Sequence, residues 1–263
     1  MRPHATPNRE DPPPSARRAF TLIETLVVIA IIAVIVAITI PILSKARNHA
    51  KVTASLATLQ QLTVAMQTYG SSSREFFPYI GTPGNPLGPL VVNGFDLQAN
   101  VNGSPGYFRV NSRFWISLLY PEYLSSRKSV TNDSTRVADS LSEYPEDVFT
   151  TDILLAHGCS AYATYWDTDD APIDDTLLRG STLGDVRFPS LKGLTFDGTS
   201  GNYLNKPGPN SNPVFYTAGR ADGSAGLIDL ANIPAEILPV DRPYGAVEFP
   251  ILSTRHGLAG RDF

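Results

Sequence analysis

The chain has 263 residues, 42% of them hydrophobic, and a formal charge of -4, which is enough for one large or two small folded domains. The acidic balance removes the electrostatic case for nucleic acid, which needs a basic stripe. A single cysteine, Cys159, excludes an internal disulfide and every cysteine-based zinc pattern.

Residues 1–19 hold Arg2, Arg9, Arg17, Arg18 and three consecutive prolines, with almost no large apolar side chains. Such a segment cannot bury enough surface to offset its ordering entropy, so it is expected to be disordered. The character then changes abruptly. No charged residue occurs from Thr25 to Ser44, and Leu26, Val27, Val28, Ile29, Ile31, Ile32, Val34, Ile35, Val36, Ile38, Ile40, Ile42 and Leu43 make a run long enough to cross a bilayer as a helix. At roughly 0.3 to 0.6 kcal/mol each, these thirteen residues favour the membrane by about 4 to 8 kcal/mol. So many β-branched residues make a poor helix in water. In hydrocarbon, however, the backbone has no partner but its own carbonyls, and the bilayer imposes the helix.

After Ser44 the pattern turns amphipathic. Val52, Leu56, Leu59, Leu62 or Thr63, Met66 and Tyr69 recur at three- and four-residue spacing between polar residues, as one stripe laid on a soluble domain. Gly70 and the serines behind it are a C-terminal stop signal. From Leu22 to Tyr69 the helix would be about 70 Å long at 1.5 Å per residue. Pro41 removes a hydrogen bond to Ala37 and predicts a kink or local loosening near the membrane exit.

Beyond Gly70, turn dipeptides such as Pro83-Gly84, Asn93-Gly94, Asn102-Gly103 and Asp222-Gly223 separate short apolar runs. A short helix is expected from Asn111 as its cap, carrying Phe114, Trp115, Leu118 and Leu119 and stopping before Pro121. Strands are expected at 193–197, 214–218 and 225–230. The fold class is α+β, with a small sheet packed on the soluble half of the long helix.

Arg17-Arg18-Ala19-Phe20-Thr21-Leu22-Ile23-Glu24-Thr25-Leu26-Val27-Val28-Ile29 resembles the prepilin cleavage and methylation motif of type IV pilins and type II secretion pseudopilins. Ala19 stands where that family usually has Gly, and Pro41 matches a proline that many pilins carry. Further on, Trp115 to Leu124, Arg187-Phe188-Pro189-Ser190 and Arg220-Ala221-Asp222-Gly223-Ser224 resemble marks of a large group of bacterial pilin-like proteins, with Tyr120 and Pro121 in swapped order. The resemblance implies a pilin-like fold with an antiparallel sheet. It also implies a leader over 1–19, a transmembrane half of the helix over 20–43, an amphipathic half over 44–70 and an extracytoplasmic β-rich head over 71–263. A prepilin peptidase/methyltransferase would cut after Ala19 and methylate the new amino terminus at Phe20.

An acid beside an apolar run is costly, which singles out Glu24 as a functional residue. The resemblance pairs it with the amine of Phe20 on a neighbouring subunit, while the bland alternative is that Glu24 caps its own helix. The partners implied are other pilin or pseudopilin subunits, the inner-membrane assembly platform and membrane lipid. Rival readings are a membrane-anchored extracytoplasmic binding protein that never polymerises, and a secreted enzyme cut near Ser44-Lys45-Ala46. No catalytic role and no cofactor is expected. Asp167, Asp169, Asp170, Asp174 and Asp175 have the oxygen density of a calcium loop but lack the Gly and terminal Glu of an EF-hand, and read as a solvated loop. His157 and Cys159 superficially suggest a base and nucleophile, without a third orienting group. His256 has no metal partners in the pattern, and Asp222-Gly223 reads as a hairpin turn.

Overall fold

The computed structural model describes residues 21–82, 85–97, 106–126, 145, 147–167, 175–199, 204, 215–229 and 251–263. They belong to two compact units, divided between Ala46 and Arg47. The expected α+β architecture is observed: one long N-terminal helix and a small antiparallel sheet.

Helix α1 is Leu22–Ser72. In the second unit its buried residues are Ser55, Leu59, Leu62, Thr63, Ala65, Met66 and Gly70, the three- and four-residue recurrence of a face laid on a core. The stripe differs in phase from the sequence reading at its start, because Ser55 rather than Leu56 is fully buried. A polar residue is accommodated there because the sheet offers it partners. The Ser55 hydroxyl lies 2.7 Å from Asp197 Oδ2 and 2.6 Å from Thr217 Oγ1.

Gly70 does not stop the helix. It is buried inside the last turn, where a Cβ would meet Leu183 Cδ1 at 2.9 Å. The chain leaves α1 through Arg74 and Glu75, both with positive φ, and the Glu75 amide closes on the Gly70 carbonyl at 2.7 Å. This is a six-to-one closure in which Arg74 takes the left-handed place usually given to glycine.

Strands β1 (Val91–Val92) and β2 (Phe95–Asp96) form a hairpin around Asn93-Gly94, both with positive φ as a two-residue primed turn requires. Helix α2 is Tyr107–Phe114 and continues as a tighter turn over Trp115–Leu118. Asn111 is therefore not a cap but a buried residue within α2. Its carboxamide brackets the Ile80 backbone, accepting from the amide at 2.7 Å and donating to the carbonyl at 3.0 Å. A buried loop strand needs partners for its N–H and C=O, and Asn111 supplies both.

The main sheet runs β3 (Ile153–Leu155), β4 (Gly193–Asp197), β5 (Phe215–Arg220) and β6 (Ala225–Asp229), antiparallel throughout in that order. β4 has the expected bounds. β5 extends two residues past the expected end, while Val214 and Leu230 lie outside the described residues. β3, three apolar residues long, was too short to stand out by alternation. Asp222-Gly223 is the expected hairpin turn, with Gly223 at positive φ between the paired Arg220 and Ser224.

Leu59, Leu62 and Met66 of α1 share one core with Leu194, Phe196, Tyr216, Ala218 and Ile228 of the sheet and with Trp115 and Ile116. Gly219 permits this approach: a Cβ there would lie 2.5 Å from Thr195 Oγ1 and 3.1 Å from Thr63 Oγ1. A second cluster gathers Phe108, Phe114, Tyr165 and Trp166 around α2 and the β1–β2 hairpin. The final segment is pinned to β4 by Lys192, whose buried ammonium lies 2.9 Å from Asp262, itself accepting from the Gly193 amide at 2.8 Å.

Candidate assembly site on the first half of the long helix

Thr21 is the residue before the first turn of α1. Its amide and its hydroxyl both donate to Glu24 Oε2, each at 2.8 Å, and its Oγ1 accepts from the Glu24 amide at 3.3 Å. This is a capping box: Thr-x-x-Glu satisfies two donors that a helix start otherwise leaves bare, and an acid there also suits the positive end of the helix dipole. The Thr-Leu-Ile-Glu string carries that signature openly, although Thr21 was not singled out in the sequence.

Behind the box, every residue of the first unit described is exposed. Its large aliphatic side chains range from 44% exposed at Val36 to 83% at Leu22. A helix of this composition has no soluble resting place, since contiguous apolar surface on this scale marks a membrane or partner interface. The hydroxyls in the run are turned inward. Thr25 Oγ1 donates to the Leu22 carbonyl at 2.8 Å and Thr39 Oγ1 to the Val36 carbonyl at 3.2 Å. Both polar groups are thus satisfied by their own helix, as hydrocarbon demands. Helical structure continues through Pro41, which has no N–H to offer Ala37.

A family model described as the prokaryotic N-terminal methylation motif matches residues 14–40. The chain carries a prepilin-type N-terminal methylation motif. The motif implies processing by a prepilin peptidase and assembly with other pilin subunits, and together with the helix it fits a single-pass membrane anchor. It points to a structural, prepilin-like subunit. The match ends at Ile40, within the first unit. No curated protein and no solved structure matches the chain.

Of the residues named from the motif, Ala19 and Phe20 lie outside the described residues, whereas Glu24 and Pro41 lie within α1. Asp169, Asp170 and Asp174 also lie outside them. Asp167 meets His256 Nδ1 at 2.8 Å, with both side chains largely exposed. That contact gives His256 a partner the sequence pattern did not suggest.

His157 and Cys159 are both buried. His157 Nδ1 lies 2.9 Å from Ser253 Oγ, and its ring packs near Phe108. Burial pushes the imidazole pKa down to about 3 and the Cys159 thiol up from its ordinary value, so both are neutral near pH 7. A buried neutral thiol is a packing group rather than an activated nucleophile.

Proposed function

We propose that this chain is a structural subunit of a type IV pilus or type II secretion pseudopilus. In this reading the leader 1–19 is removed after Ala19, Phe20 becomes the methylated amino terminus, and residues 20–43 anchor the subunit in the cytoplasmic membrane. Residues 44–70 carry the helix onto an extracytoplasmic head, residues 71–263. The observation that carries the reading is the coincidence of the matched motif with an exposed helix whose one charge as far as Ser44 is the acid in its first turn.

Glu24 would meet the Phe20 ammonium of a neighbouring subunit, a pair completed only after cleavage and only in one register. In a low-dielectric filament core an unpaired acid is costly, so the pair would select that register. Thr21 would hold the carboxylate at the helix start before the partner arrives. Pro41 would let the helix bend as a subunit leaves the bilayer. Arg17 and Arg18 favour a cytoplasmic start, although Lys45, Arg47 and Lys51 nearly balance them, and the motif supports the same orientation.

Mass spectrometry of the processed chain tests the first part: a methylated Phe20 terminus is expected, and a terminus near Arg47 would replace this reading with secretion. Glu24→Ala should remain membrane-inserted and processed yet stay out of filaments. Crosslinking that recovers only monomers of the unaltered chain would favour a non-polymerising anchored binding protein.

A further inference from the structure

The second unit contains a cleft of about 700 Å³ bounded by the end of α1, residues 76–82 and residues 176–180. Its walls include five aromatic residues, Tyr69, Phe76, Phe77, Tyr79 and Tyr162, and Arg179 is the one charged residue among the described lining. This volume lies within the range of small-molecule sites, which are apolar with a few oriented polar groups.

The walls are built into the backbone. On one side Phe77 donates to the Ser181 carbonyl at 2.9 Å and Leu183 to the Glu75 carbonyl at 2.8 Å. On the other, Tyr162 donates to Leu177 at 2.9 Å and Arg179 to Ser160 at 3.1 Å. The Tyr79 ring lies flush on Gly180, where a Cβ would come within 3.0 Å of the ring. Arg179 lies over the Tyr162 ring, its Cζ 3.3 Å from the ring centre. Its Nε is enclosed without an acceptor among the described residues. A guanidinium set on an aromatic face, with no acid among the described lining residues, is preorganised for a carboxylate, whose two oxygens match its fork.

We propose that this cleft binds a small carboxylate carried on an aromatic or other apolar body, the body against the tyrosine and phenylalanine rings and the carboxylate on Arg179. This function is separate from filament formation and stands or falls independently of it.

The test uses the full chain in phospholipid nanodiscs, with empty nanodiscs as the blank, and ligand-observed NMR with 4-phenylbutyrate and its neutral amide as probes. The acid should bind about tenfold or more tightly than the amide, the scale of one charge-assisted contact. Arg179→Gln should erase that preference, Arg179→Lys should keep part of it, and Gly180→Val should weaken both probes by displacing Tyr79. Near-UV circular dichroism identifies variants that keep the fold. Equal binding of acid and amide would overturn the proposal in favour of a neutral apolar ligand, and binding of neither would overturn it outright.

Discussion

Ser55 on α1 and Asp197 at the end of β4, separated by 142 residues in sequence, meet in a 2.7 Å hydrogen bond with both residues fully buried. Asp197 also accepts from the amide and hydroxyl of Thr199, at 2.9 and 2.7 Å. A buried carboxylate is tolerated only while donors surround it, so this contact fixes how the helix registers on the sheet. Ser55→Ala should therefore destabilise the second unit by about 1 to 3 kcal/mol, measured as a lower urea midpoint with unchanged slope. An unchanged midpoint would mean that the hydroxyl contributes nothing net.

Close approach at Gly219 supports a second prediction. Gly219→Ala should cost about 1 to 3 kcal/mol through overpacking, because its new methyl group meets Thr195 Oγ1. Thr195→Ala removes that hydroxyl, so the double variant should recover part of the loss. Additive costs in the double-mutant cycle would contradict a direct collision.

His157 makes stability depend on pH. Burial lowers its folded pKa to about 3, from the 6.5 of a free imidazole. The unfolded chain therefore takes up a proton as pH falls through 6.5, and the folded chain does not until near pH 3. The contribution is fully present above about pH 6.5 and is lost on acidification, at a limiting slope of about 1.4 kcal/mol per pH unit. Urea unfolding at pH 7, 6 and 5 should show this decline, and His157→Phe should flatten it. Parallel profiles for the two proteins would assign the dependence to other groups.

The capping box predicts an order of severity. Thr21→Ala removes one of the two donors to Glu24 Oε2 but leaves the carboxylate, so filament yield should fall without vanishing, whereas Glu24→Ala should abolish it. Glu24→Gln should resemble the alanine variant, since an amide cannot form the charge pair. Quantifying sheared filaments against total membrane-bound subunit distinguishes these outcomes, and a Thr21→Ala loss equal to that of Glu24→Ala would sink the proposed division of roles.

What could be read from sequence follows the range of the interactions involved. The long helix, its apolar half, β4 and the Asp222-Gly223 hairpin are written in local composition, periodicity and turn chemistry. Asn111 was misplaced because its cap-like side chain is engaged with Ile80, 31 residues away, a partner no local pattern reveals. Ser55 escaped notice for the same reason, since its partners lie 142 and 162 residues downstream. Gly70 looked like punctuation because helices often end at glycine, but here the missing side chain makes room for Leu183. The cleft around Arg179 is assembled from three separate stretches and has no signature in any one of them.

The inward-turned hydroxyls of Thr25 and Thr39 have a consequence for sorting within the lipid. With both silenced by their own backbone, the helix from Leu22 to Leu43 presents neighbours with a nearly featureless aliphatic flank marked at one height, by Glu24. Axial slippage between such rods would go almost unopposed by shape or polarity anywhere else along that stretch. Vertical alignment would then be decided at a single level, so relocating the acid by one turn should shift the axial rise of a polymer rather than merely weaken it.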